Sequence, residues 1–133
     1  MTYPRIFVSA AVITDAAGRV LVVRKHGTSV FMQPGGKPEA GESAAEALAR
    51  ELHEEIGLVV RPDVLHPLGR FEADAANEPG YRVVADAFRV AAEPDAVSAR
   101  AEIAELRWIT PAEVQSMELA PLSLDFLLGL AWS

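Results

Sequence analysis

The chain of 133 residues contains no cysteine. That absence excludes disulfide cross-links, thiolate-zinc centres and cysteine nucleophiles, so stability has to come from packing. The sequence also lacks an apolar run of the ~20 residues that a bilayer span requires. The stretch 119–132 is apolar but broken by Ser123 and Asp125, and the early run 7–13 follows a single Arg5 and is cut short by Asp15. The latter resembles a secretion signal only faintly and reads better as a strand. These features place the chain in the cytoplasm with no membrane partner. Positive charge is scarce as well, with 12 Lys and Arg against 19 Asp and Glu and a net charge of -7. Broad nucleic-acid contact normally needs a basic face to displace counterions, so no nucleic-acid partner is expected. Acidic chains still handle phosphates when their carboxylates gather a divalent cation that in turn gathers phosphate oxygens.

What is present suits one domain over residues 1–133, because half of the residues are hydrophobic and the length leaves no room for a second core. No internal repeat or low-complexity segment interrupts it. β-Branched and small residues over 5–14, the turn Asp15-Ala16-Ala17-Gly18 and the apolar run 19–24 predict a hairpin. Pro34-Gly35-Gly36 is expected to break regular structure. Ser43, with Glu46 three residues on, predicts a helix start with a capping box, and Gly57 supplies a left-handed stop. Between them Ala44, Ala47, Leu48, Leu52 and Ile56 recur at helical spacing. Further strands are expected over 65–72, 81–90 and 103–109, with a loop over 73–80. A short helix should follow Thr110-Pro111, and a last one should span 122–130. Strands mixed with a central and a terminal helix predict an α+β or α/β/α layered domain.

On the central helix Glu51, Glu54 and Glu55 stand at i, i+3 and i+4 and share a face. Acidic helix residues usually mark a solvated face. Three carboxylates packed together repel, however, and Arg50 can offset only one charge. Mg²⁺, or Mn²⁺ in its place, is the expected counterion, because hard cations take oxygen ligands and keep coordination sites for water and phosphate. The Pro34-Gly35-Gly36 segment adds backbone oxygens that can come close.

Residues 36–58 read GKPEAGESAAEALARELHEEIGL, which resembles the Nudix box, G-x5-E-x7-R-E-U-x-E-E-x-G-U with U a bulky aliphatic. The set positions fall on Gly36, Glu42, Arg50, Glu51, Leu52, Glu54, Glu55, Gly57 and Leu58, with no gap and no substitution. Seven fixed residue types at set spacing arise by chance about once in 10⁹ starts. The resemblance implies the Nudix fold, an α/β/α sandwich with a central mixed β-sheet, and a Mg²⁺-dependent hydrolase of diphosphate linkages. It also implies metal ligands at Glu51, Glu54, Glu55 and the Gly35 carbonyl, with Arg50 orienting the glutamates. Relatives often draw one more carboxylate from a later segment, for which Glu102 is the candidate and Glu105 its rival. Glu51, Glu54 and Glu102 are the candidate bases, none of them assigned. Glu42 belongs to the motif but could equally serve as a helix N-terminal acid, as Glu39 and Glu46 do.

Substrate contacts are expected outside the box. Arg24, Lys25 and Lys37 could all reach phosphates, with Arg24 and Lys37 favoured. Phe31, Asn77, Tyr81 and Trp108 could stack on or hydrogen-bond a base, although core packing is the ordinary role of such aromatics. His26, His53 and His66 lack metal-ligand spacing and read as solvated. Relatives that clear oxidised purines use an asparagine nearer the C-terminus, whereas Asn77 is the only one here. The spacing of ADP-ribose hydrolases and the coenzyme A and NADH signatures are also missing. A small nucleotide, first a nucleoside triphosphate cleaved to monophosphate and pyrophosphate, is therefore expected, with ADP-ribose or a nucleotide sugar second. The chain is short, without the added N-terminal domain many ADP-ribose enzymes use to dimerise, and monomer and homodimer both stay open. An isopentenyl diphosphate isomerase of this fold needs a cysteine, and RNA decapping needs a basic surface. A non-catalytic nucleotide sensor is the alternative of another class, disfavoured because all the box glutamates are kept.

Overall fold

The computed structural model describes residues 3–133. Strand β1 (Arg5–Thr14) turns at Asp15, whose carboxylate accepts hydrogen bonds from the N–H groups of Ala17 and Arg19, and returns as β2 (Val20–Lys25). Two short strands follow, β3 (Phe31–Met32) and β4 (Gly35–Gly36), then helix α1 (Ala44–Ile56), β5 (His66–Asp74), β6 (Arg82–Ala91) and β7 (Ile103–Ile109).

These strands form one mixed sheet. β1 lies parallel to β6 along its whole length, and β5 is antiparallel to β6 at the edge. β2 is antiparallel to β7. The feature that shapes the site is the relation of β1 to β2, which share a register pair at Thr14 and Val20 and then part. The segment 31–36 enters that gap, with β3 pairing β2 and β4 pairing β1. The glycine pair therefore joins the sheet rather than simply breaking structure, correcting the sequence expectation.

Both faces of the sheet are covered, so β1 and β2 are buried on both sides and alternate between two cores. Ala11, Ile13, Leu21 and Val23 pack beneath Leu48, Leu52 and Ile56 of α1. Ala10 and Val12 meet Leu122 and Leu127 on the other face, and Val20 and Val22 meet Leu128. Leu48, Leu52 and Ile56 are fully buried, and each contributes about 1.5–3 kcal/mol through removal from water. This is the expected α/β/α layering, an open α+β sheet rather than a closed barrel.

Two helices differ from expectation. Pro111–Ser116 winds as a 3₁₀-helix, the tighter form favoured in short pieces. The terminal helix passes through a π-helical turn, Ser123–Leu127, before α2 (Leu128–Ala131), with the Leu128 N–H donating to the Ser123 carbonyl. Among the described residues no helix is long and apolar enough to cross a membrane.

Candidate functional site

Local chemistry sets α1 in place. The Ser43 hydroxyl accepts from the Glu46 N–H at 3.1 Å while the Glu46 carboxylate accepts from the Ser43 N–H at 2.8 Å, the reciprocal cap expected from the sequence. At the other end Gly57 takes φ 70° and its N–H returns to the His53 carbonyl. With Leu48, Leu52 and Ile56 pinned to the sheet, Glu51 and Glu55 turn toward β4.

The two glycines of β4 are required by contact. A Cβ on Gly35 would lie 2.0 Å from the Ser9 carbonyl oxygen, and one on Gly36 would lie 2.4 Å from the Glu51 carboxyl carbon. Only bare backbone lets β4 reach β1 and lets Glu51 lie over it. Glu55 is 3% exposed and accepts from the Gly35 N–H at 3.0 Å. Burial pushes its carboxyl up to about 7; the Gly35 N–H and Lys25 pull it down in part, while Glu51 and Glu102 add repulsion. Burial also raises Glu51, opposed by Arg50 and reinforced by Glu54 and Glu102.

Arg50 ties this acidic wall together. It bonds Glu42 bidentately at 2.7 and 3.0 Å, Glu51 at 2.9 Å and Glu54 at 3.4 Å, and it donates to the Lys37 carbonyl at 3.1 Å. The Arg50 hydrogen bonds hold the Glu42 carboxyl down at about 2, and the same contact raises Arg50 itself. Glu42 is thus the guanidinium's main anchor, a role the sequence left undecided. Arg50 leaves Glu55 facing only one N–H and a distant lysine. Among the described residues no three acidic or imidazole groups already form a closed ligand cluster, since Glu51 is drawn to Arg50 and Glu55 to Gly35. The donor set nonetheless suits a hard divalent cation: two carboxylates raised by burial, Glu51 and Glu55, with Glu102 at the same cleft and backbone oxygens nearby.

The wall borders a cleft of about 840 Å³, lined by Glu51, Glu55, Glu102, Gly35, Lys37 and Asn77 among others. Six expected residues therefore meet at one cleft. Glu54 is exposed and reaches the group through Arg50. Glu105 does not line the cleft but pairs with Arg107 at 2.9 Å and Arg24 at 3.4 Å.

Four expected substrate contacts, Arg24, Phe31, Tyr81 and Trp108, stand outside the cleft. Arg24 donates to the Thr28 carbonyl at 2.9 Å and pairs with Glu105; strand alternation brings the neighbouring Lys25 to the cleft instead. Phe31 is 6% exposed in the core under the terminal helix, with the Arg107 guanidinium 5.0 Å from its ring centre. Tyr81 lines a separate hollow with Tyr3 and Pro79. Trp108 packs against the core beneath α1. His53 and His66 are exposed as expected, while His26, also exposed, borders the cleft. Of the adjacent pair Arg24 and Lys25, both within reach of phosphate by sequence, it is Lys25 that lines the cleft; the sequence reading missed Gln33 and Ser123, which no local pattern marks.

A model of the NUDIX domain matches residues 4–128. An uncharacterized Nudix hydrolase of Pseudomonas aeruginosa is 38% identical over 97 residues, 70% of this chain and 54% of that protein. The 8-oxo-dGTP diphosphatase of Haemophilus influenzae is 38% identical over 69 residues, 49% of this chain and 51% of that one. The chain spans about half the length of these curated relatives. The crystal structure of the MutT protein from Methanosarcina mazei Go1 superposes with a TM-score of 0.77 at 25% identity, covering 98% of this chain and 95% of that one. With an unbroken box, the layered fold and a family match over nearly its whole length, this chain belongs to the Nudix family.

Proposed function

We propose that the chain is a Mg²⁺-dependent pyrophosphohydrolase that cleaves a nucleoside triphosphate to the monophosphate and pyrophosphate. The observation that carries this reading is the pair of desolvated carboxylates, Glu51 and Glu55, facing a nucleotide-sized cleft beside the β4 glycines. Glu51, Glu54, Glu55, Glu102 and the Gly35 carbonyl would hold the cation, with Mn²⁺ an expected substitute. Bound there, it would offset phosphate charge and lower the pKa of a water molecule.

The chain's own groups do the positioning. Arg50, anchored by Glu42, holds Glu51 and Glu54 in a defined arrangement before substrate arrives. Lys25 and Lys37 border the cleft and would pair with phosphate oxygens. Glu102, at the entry to β7, supplies a carboxylate from outside α1 that can accept the proton of the attacking water.

The test is incubation with Mg²⁺ and a panel of nucleoside triphosphates, oxidised triphosphates, ADP-ribose and nucleotide sugars, with products resolved by chromatography. Monophosphate plus pyrophosphate is the expected outcome; AMP with ribose phosphate would redirect the reading to ADP-ribose. Glu54→Gln, at an exposed position, should lower kcat by about a hundredfold or more while leaving the circular dichroism spectrum unchanged. Unaltered turnover in that variant would remove Glu54 from the metal site. No metal-dependent turnover of any compound would favour a nucleotide-binding sensor.

A further inference from the structure

Away from the acidic wall the cleft is bordered by the apolar Val8, Ala10, Val83 and Leu122, with Asp74 and Glu78 at its rim. Among the neutral polar side chains buried at the cleft are Gln33 at 7% and Ser123 at 1% exposure, which meet each other. The Ser123 hydroxyl donates to Gln33 Oε1, and Gln33 Nε2 is buried with no partner. Other neutral polar groups at the cleft differ. The Ser9 hydroxyl is committed to the Ala44 carbonyl and that of Thr28 to the Lys25 carbonyl, while Asn77 is exposed in a loop. An orphaned buried amide carries a desolvation cost that a ligand acceptor would recover.

The fold also fixes this amide in advance. Met32 before it pairs with β2, and the Pro34 carbonyl after it accepts the Ala11 N–H of β1 at 2.9 Å. Ser123 opens the π-helical turn, whose wider winding is held by the Leu128 N–H. Both partners therefore sit on rigid backbone, which favours recognition over adaptation.

We propose that Gln33, locked by Ser123, reads the nucleobase and selects keto bases over amino bases. With its oxygen turned to Ser123, the amide has its N–H donors as the unpartnered groups. A guanine or uracil edge presents a keto oxygen to receive them, whereas the exocyclic amine of adenine or cytosine sets donor against donor. The inference rests on the nucleotide reading above but concerns binding rather than cleavage, so the two can fail separately.

The experiment measures kcat/KM for GTP and UTP against ATP and CTP with Mg²⁺, and records side-chain amide resonances of ¹⁵N-labelled protein with GMP or AMP. The chain has two glutamines, Gln33 and Gln115, and one asparagine, Asn77, so the amide signals are few enough to assign. A keto preference of about tenfold or more is expected, falling to within about threefold in Gln33→Met. Ser123→Ala, a milder change that frees the amide to rotate, should lower the ratio too. GMP should shift the Gln33 amide and AMP should not. If no triphosphate is hydrolysed yet GMP alone shifts that amide, base reading stands and the cleavage reading falls. Equal kcat/KM for both classes, a ratio unchanged in Gln33→Met, or a Gln33 amide unmoved by GMP would overturn the proposal.

Discussion

Replacing Glu55 with glutamine is expected to stabilise the metal-free protein at pH 8. The carboxyl is held inside the fold and pushed from an ordinary value of 4.5 to about 7, first by burial and further by Glu51 and Glu102. At about 1.4 kcal/mol per pKa unit, that displacement corresponds to about 3 kcal/mol. Its sign follows from proton binding: a raised acid holds its proton longer in the folded state than in the unfolded chain. Below about pH 4.5 both states are protonated, and parent and variant differ little. From about pH 4.5 to 7 the parent loses stability as the unfolded chain ionises first, and above about pH 7 the whole deficit is present. Glutamine escapes the ionisation cost and still offers an oxygen to the Gly35 N–H. Urea denaturation in EDTA, repeated across pH, measures the gap, which should appear in thermal melts as roughly 10 °C at pH 8. Adding Mg²⁺ should narrow it, because a bound cation stabilises the ionised carboxylate but gains little from an amide. A parent as stable as the variant at pH 8, or a gap that ignores pH, would refute the assignment of Glu55 as a carboxylate desolvated for a cation.

Two further outcomes follow from the geometry. Gly36→Ala places a methyl 2.4 Å from the Glu51 carboxyl carbon, so kcat should fall by about tenfold or more as Glu51 is displaced, with little change in melting temperature; steady-state kinetics beside a thermal melt separates the two effects. Lys25→Ala should raise KM for the triphosphate by about tenfold through loss of a charge-assisted contact. Arg24→Ala, whose guanidinium is committed to Thr28 and Glu105, should leave KM nearly unchanged, and the reverse order would show that the cleft has been drawn on the wrong face of β2.

The sequence by itself determined what depends on neighbours along the chain. The spacing of Glu51, Glu54 and Glu55 puts them on one helical face whatever surrounds them, and Ser43, Glu46 and Gly57 terminate that helix through bonds within a few residues. The strand over Ile103–Ile109 was legible from alternation alone. Tertiary structure decided what depends on distant partners. No local signal shows that β1 and β2 part after Thr14 and Val20, or that the segment 31–36 enters the gap and carries Gly35 to Glu55. Most of all, Gln33 and Ser123 meet across 90 residues. Their pairing exists only because the terminal helix covers the sheet face opposite α1, where a polar group shut off from water needs whatever partner the fold brings to it.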